Sequence, residues 1–175
     1  GLLRIEKDGR LQYAKHTKPG DRIVVVGGRV GKDGIHGATF SSETMHEGSP
    51  VSAVQIGDPF LQKRVIDFIL AANEKNLMTG ITDNGAGGLS SSIGEMAGIT
   101  HGATIDLDLV PLKYPGLTPW QIWISESQER MLIVVKKGRE KEVEKVFEKW
   151  DLNCQVIGIV TDTKRLKYFM NGELV

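Results

Sequence analysis

The stretch GITDNGAGGLSSSIGE, residues 80–95, carries one carboxylate, Asp83, into a tight glycine turn. Leu77, Met78 and Ile81 make an apolar approach to it, and a helix-like segment follows. A strand that delivers a carboxylate to such a turn offers a ligand two charges. A cation can sit on Asp83, and an anion on the unpaired N–H groups of the helix start. Magnesium takes one or two carboxylates and completes its shell with phosphate oxygens and water, so it suits this place. A simple capping role for Asp83 in the following turn is the competing reading, and the residues alone leave both open.

Residues 27–37 form a glycine-rich loop containing GGRVGKDG. It is not the phosphate loop GxxxxGK[ST], because Asp33 follows Lys32, nor a GxGxxG fingerprint. Arg29 and Lys32 next to strand-ending glycines are what an anion site uses; an ordinary turn with solvated basic residues accounts for them equally. His36, between glycines, can shuttle a proton or serve only as a local hydrogen-bonding residue. Gln55 ends an extended segment just before a helix, and its amide both donates and accepts, which suits an amide or ribose ligand. The run from Ser125 through Glu126, Ser127, Gln128 and Glu129 to Arg130 places hydroxyls, an amide and carboxylates where an apolar strand begins. A solvated loop is its plain alternative.

Other groups point away from chemistry. His16, His46 and His101 show no metal-ligand spacing with Cys154 or with one another. Cys154 has no nearby histidine, so it reads as structural, and a lone cysteine excludes an internal disulfide and fits a reducing compartment. Trp120, Trp123 and the stripe Val143, Val146, Phe147, Trp150 read as core. The 175 residues are 40% apolar and 25% charged, the profile of one folded domain. Lysine plus arginine balances aspartate plus glutamate at 22 each, which argues against an electrostatic nucleic-acid or membrane surface. No apolar run approaches a spanning helix and no signal pattern opens the chain, so a cytoplasmic location is expected. Gly1 stands where an initiator methionine would, so the chain is expected to be a piece of a larger polypeptide or a trimmed one.

The elements that must position these groups alternate in type. A hairpin is expected over 2–6 and 10–14 around Lys7-Asp8-Gly9. The β-branched run 23–26 predicts a buried strand, residues 43–50 a mobile polar loop, and 51–56 an extended segment. Asp58 as N-cap and Pro59 at the first position open a helix ending near Asn76. A strand over 77–82, a helix over 88–97 and an alternating strand over 104–110 follow. Thr118 and Gln121 have capping-box spacing and predict a short helix to about Ser125. Strands over 131–135, 156–160 and 168–170, a helix over 140–150 and a turn at Asn171-Gly172 complete the chain. The class is α/β or α+β, a sandwich of helices on a mixed β-sheet.

Four segments, GKDGIHGATFSS (31–42), AVQIGDPF (53–60), TDNGAGGLSSSIGEMA (82–97) and SESQERMLIVV (125–135), together resemble phosphoribosylformylglycinamidine synthase. That superfamily also holds aminoimidazole ribonucleotide synthetase, selenophosphate synthetase and thiamine-monophosphate kinase, each pairing an N-terminal ATP-binding domain with a C-terminal α/β domain. The resemblance implies that residues 1–175 are one such C-terminal-type domain, and that the whole enzyme is an ATP-dependent carbon–nitrogen ligase of purine biosynthesis. In the family reaction ATP phosphorylates the formyl-amide oxygen of formylglycinamide ribonucleotide, and glutamine-derived ammonia displaces the phosphate to leave the amidine.

By motif position, the resemblance makes Gln55, Glu126, Ser127 and Gln128 substrate-binding residues and Asp83 a magnesium ligand. Gly31, Lys32, Asp33, Gly34 and His36 would form a phosphate or nucleotide loop. Its cofactors would be Mg2+ and ATP, and its partners the preceding ATP-binding domain and a glutaminase subunit or domain. The catalytic histidine and ATP-contacting lysine belong to that preceding domain, so no catalytic residue is expected here and the isolated chain is expected to be inactive. The alternatives are a domain of aminoimidazole ribonucleotide synthetase, against which SESQERM speaks, and an interaction domain that kept the fold and lost the chemistry.

Overall fold

A computed structural model of the chain describes residues 4–5, 11–12, 15–42, 44, 48 and 51–175. Strands β1 (Arg4–Ile5) and β2 (Leu11–Gln12) pair antiparallel, as the hairpin expectation requires; its turn at 7–9 and most of the polar loop at 43–50, His46 included, lie outside the described residues. The main sheet is built from β3 (Arg22–Gly27), β4 (Met78–Asp83), β5 (Ala103–Asp106), β6 (Arg130–Val135), β7 (Cys154–Val160), β8 (Leu166–Met170) and β9 (Glu173–Leu174). Its order is β4-β6-β3-β7-β5-β8-β9, and only β5 and β8 run parallel, so the sheet is mixed.

The continuous apolar runs in β3 and β6 arise because both sheet faces are covered. Ile23 and Val25 of β3, with Leu132 and Val134 of β6, pack under α3 (Gly88–Thr100) and α4 (Pro119–Ile124) through Leu89, Ile93, Met96 and Ile122. Val24, Val26, Ile133 and Val135 point the other way, onto Phe68 and Ala72 of α2 (Pro59–Glu74) and Val143, Val146 and Phe147 of α5 (Glu140–Glu148). Asp58 caps α2 by accepting from the Leu61 amide at 3.0 Å, and Gln121 Oε1 accepts from the Thr118 amide at 3.0 Å to start α4.

Three expectations are corrected. The strand expected over 104–110 stops at Asp106, because the Asp106 carboxylate accepts from the Asp108 amide at 3.0 Å and winds 107–109 into a 3-10 turn. The extended segment expected at 51–56 begins as another 3-10 turn, Val51–Ala53. Trp120 is not core: it is half exposed, while Trp123 stacks on Tyr168 with centroids 4.7 Å apart. Sequence spacing also missed the short helix α1, Gly37–Phe40, inside the segment 31–42.

Phe68 is fully buried and meets Phe147 at 5.1 Å between ring centroids, so it ties α2 to α5. Phe68→Ala is expected to cost about 3–5 kcal/mol, read as a lower urea midpoint at unchanged slope.

Candidate functional site

One rim of the sheet gathers the three chemistry-bearing stretches. β6 runs antiparallel to both of its neighbours, β3 and β4, so the ends of those two strands meet its beginning. Gly27 pairs with Arg130 and Asp83 with Met131. The glycine loop leaves β3 there, the Asp83 turn leaves β4, and the polar run 125–129 enters β6.

At their junction lies the carboxylate of Glu126, a residue only 4% exposed. Oε2 accepts from the Ala38 amide at 2.8 Å and from Gln55 Nε2 at 3.2 Å, and Oε1 accepts from the Gly87 amide at 3.0 Å. Gly87 is the N-cap of α3 and Ala38 lies in the first turn of α1, so two helix starts share one internal anion. The anion expected at the helix start is therefore supplied by the chain itself.

The neighbours of Glu126 are equally engaged. Ser127 Oγ accepts from the Gly31 amide at 3.0 Å, while the Ser125 and Ser127 hydroxyls lie 3.3 and 3.4 Å from the Asp33 carbonyl. Glu129 Oε1 accepts from the Asp58 amide at 3.2 Å. The polar run is thus a buried staple and not a solvated loop. Its backbone also touches the glycine segments directly. A Cβ at Gly27 would lie 2.1 Å from the Glu129 carbonyl oxygen, and one at Gly88 would lie 2.2 Å from that of Ser125. Only glycine fits such approaches, and both positions have positive φ, 101° and 55°.

The other candidates are more open. Gln55 is exposed, and because its Nε2 faces Glu126, the carbonyl end of the amide is the one left for a ligand. Asp83 is exposed with Oδ1 accepting from the Gly85 amide at 2.8 Å, so the turn-capping reading holds. That bond engages one oxygen of an exposed carboxylate, which fits Asp83 to serve as one magnesium ligand among phosphate and water oxygens. Among the described residues no three His, Cys, Asp or Glu side chains cluster as a metal site. Gln128 turns its Nε2 back to the Glu126 carbonyl at 3.3 Å. Lys32 and His36 are exposed, His36 at φ 61° before α1. Burial, with Glu144 adding to it, pushes the Cys154 thiol far up, as suits a structural cysteine.

Two residues escaped notice in the sequence. Lys113 Nζ lies 2.8 Å from Asp33 Oδ2, and Tyr114 Oη accepts from the Lys32 amide at 2.8 Å. Both ride on a bridge between Val30 and Leu112, a long-range pairing that no local pattern encodes. Arg130 was readable: by period two it shares a face with buried Leu132 and Val134, so its charge had to be buried. Burial pushes its guanidinium down to about 10, with Asp33 and Glu126 pulling the other way, so it stays cationic at neutral pH.

Residues 18–171 match the family described as AIR synthase related protein, C-terminal domain. The chain belongs to this family. It is 44% identical over its whole length to phosphoribosylformylglycinamidine synthase subunit PurL of Carboxydothermus hydrogenoformans, and spans 24% of that relative's length. T. maritima PurL complexed with FGAR superposes with a TM-score of 0.86 at 37% identity, covering 94% of this chain and 28% of that one. T. maritima PurL complexed with ATP gives 0.79 at 34% identity, over 94% and 26% of the two chains. No helix among the described residues is long and apolar enough to cross a membrane.

The tight packing of the loops in this AIR synthase related domain separates two glycines of α3. Gly94 faces open space, whereas Gly88 meets the Ser125 carbonyl. Gly94→Ala is expected to stabilise by about 0.5–1 kcal/mol, and Gly88→Ala to destabilise by roughly 1–3 kcal/mol or more. Thermal unfolding of the pair checks both signs.

Proposed function

We propose that this chain is the part of a phosphoribosylformylglycinamidine synthase that contributes substrate- and magnesium-binding groups. The whole enzyme converts formylglycinamide ribonucleotide, ATP and glutamine-derived ammonia to the amidine in the cytoplasm. The single observation that carries this reading is the joining of Gln55, Glu126 and the Asp83 turn into one hydrogen-bonded unit, in a chain 37% identical to a PurL complexed with FGAR. Within that unit Gln55 and Asp83 stay exposed, while Glu126 is buried and holds them in register.

On this reading Glu126 fixes the Gln55 amide with its carbonyl outward, to accept from an N–H or hydroxyl of the ribonucleotide. Asp83, oriented by the Gly85 amide, is one ligand of magnesium. When bound, the ion neutralises phosphate charge. Lys32 and His36 on the loop 31–36 border the same place and suit a phosphate.

ATP and the proton-transfer groups come with the preceding domain. The exposed apolar side chains on either side of Gln55 in the chain, Val51 at 86%, Ile56 at 67% and Phe60 at 84% exposed, are available for that domain to cover. A glutaminase subunit or domain supplies the ammonia.

The test uses the longer polypeptide that contains this chain, assayed with formylglycinamide ribonucleotide, ATP and ammonium. Turnover is expected, and its absence sinks the proposal. The Asp83→Asn variant is expected to need roughly tenfold more magnesium or worse; an unchanged magnesium titration removes Asp83 from the metal site. The isolated 175-residue chain is expected to show no turnover, since it lacks the ATP-binding domain.

A further inference from the structure

Arg130 is 3% exposed, at the first position of β6, with its side chain under the loop that precedes it. Nε donates to the Ser127 carbonyl at 2.7 Å and Nη2 to the Ser125 carbonyl. Among the described residues Nη1 has no acceptor. Residues 125–129 precede β6 outside any strand, so the guanidinium fork supplies donors that a neighbouring strand would otherwise give. Its Cγ also lies 3.5 Å from where a Cβ of Gly28 would be, so the same side chain props the glycine loop.

A buried cation with a spare N–H is a costly way to fill space. An apolar side chain of similar volume would pack there at less cost. What an apolar side chain cannot do is hold two carbonyls two residues apart at fixed height. The Ser125 carbonyl is also the contact that sets the start of α3, through Gly88. Arg130 therefore sets how far the loop sits from α3, and with it whether Glu126 reaches the Gly87 and Ala38 amides together.

Resting on the amidine-synthase reading above, we infer that Arg130 is a positioning residue for substrate affinity. It pins the Ser125 and Ser127 carbonyls so that Glu126 can present Gln55, and it does not itself touch the ribonucleotide. Without it, two buried carbonyls lose their donors and the loop lifts toward water. Glu126 then leaves one of its two helix starts, and Gln55 loses its fixed orientation. Groups brought by the ATP-binding domain stay where they are.

The experiment compares Arg130→Met and Arg130→Lys in the longer polypeptide, by steady-state kinetics, thermal unfolding and native-state hydrogen exchange. For Arg130→Met the KM for formylglycinamide ribonucleotide is expected to rise roughly tenfold or more, with kcat and the KM for ATP within about threefold of the parent. Arg130→Lys, which keeps the charge but lacks the fork, is expected to fall between. If the methionine variant does not fold, the lysine variant carries the test. An unchanged substrate KM in a folded variant overturns the inference. So does an equal loss in every parameter that follows the folded fraction. Absence of turnover by the parent would sink the proposed function instead. In that event exchange at residues 125–128 still decides: faster exchange confined to that loop supports the role of Arg130, and unchanged exchange overturns it.

Discussion

The buried carboxylate of Glu126 is the contact on which the rim of this domain depends. It takes two backbone amides and one side-chain amide from segments that lie 39 to 88 residues away in the chain. A charge that deep is tolerated only when its oxygens are paired, and here the helix starts do the pairing. The start of α1, a helix of four residues, and the turn before α3 meet at this carboxylate. The carboxylate organises the loops, and the loops in turn make its burial tolerable.

The glycines follow from that contact. Three chain segments crowd one buried run, and side chains between them would push the amides out of hydrogen-bond range. Gly27 and Gly88 let backbone rest on backbone, with the Glu129 and Ser125 carbonyls against them. The polar groups of Ser125, Glu126 and Ser127 are consumed internally, while the Gln55 carbonyl, Asp83, Lys32 and His36 stay exposed on the same rim. The division of labour is physical. Buried polar groups hold geometry, and exposed ones remain free for a ligand.

The sheet makes this convergence possible. β6 is inserted between β4 and β3 and runs against both, so two strand ends and one strand start fall at one rim. Cores on both faces hold those strands rigidly, one built on α3 and α4, the other on α2 and α5. Loops carried on such a sheet can keep a fixed relation to one another although their own stretches have little regular structure.

Much of this was legible in the residues. The run IVVV at 23–26 demanded a strand buried on both faces, Asp58-Pro59 announced α2, and the alternation of lysine and glutamate with Val143, Val146 and Phe147 drew α5. These are local matters, set by period, propensity and caps, and a sequence states them in place. Polar residues between such elements were ambiguous: residues 125–129, taken alone, read first as a solvated loop and only second as a site, and proved to be an internal staple. Asp106 ended a strand that alternation alone would have run to Val110. The sequence by itself determined which elements form, where most of them start, and which residues have chemistry to offer. Only the tertiary structure decided which carboxylate is buried and which stays exposed. That depends on strand order, and strand order rests on pairings tens of residues apart, which no local pattern records.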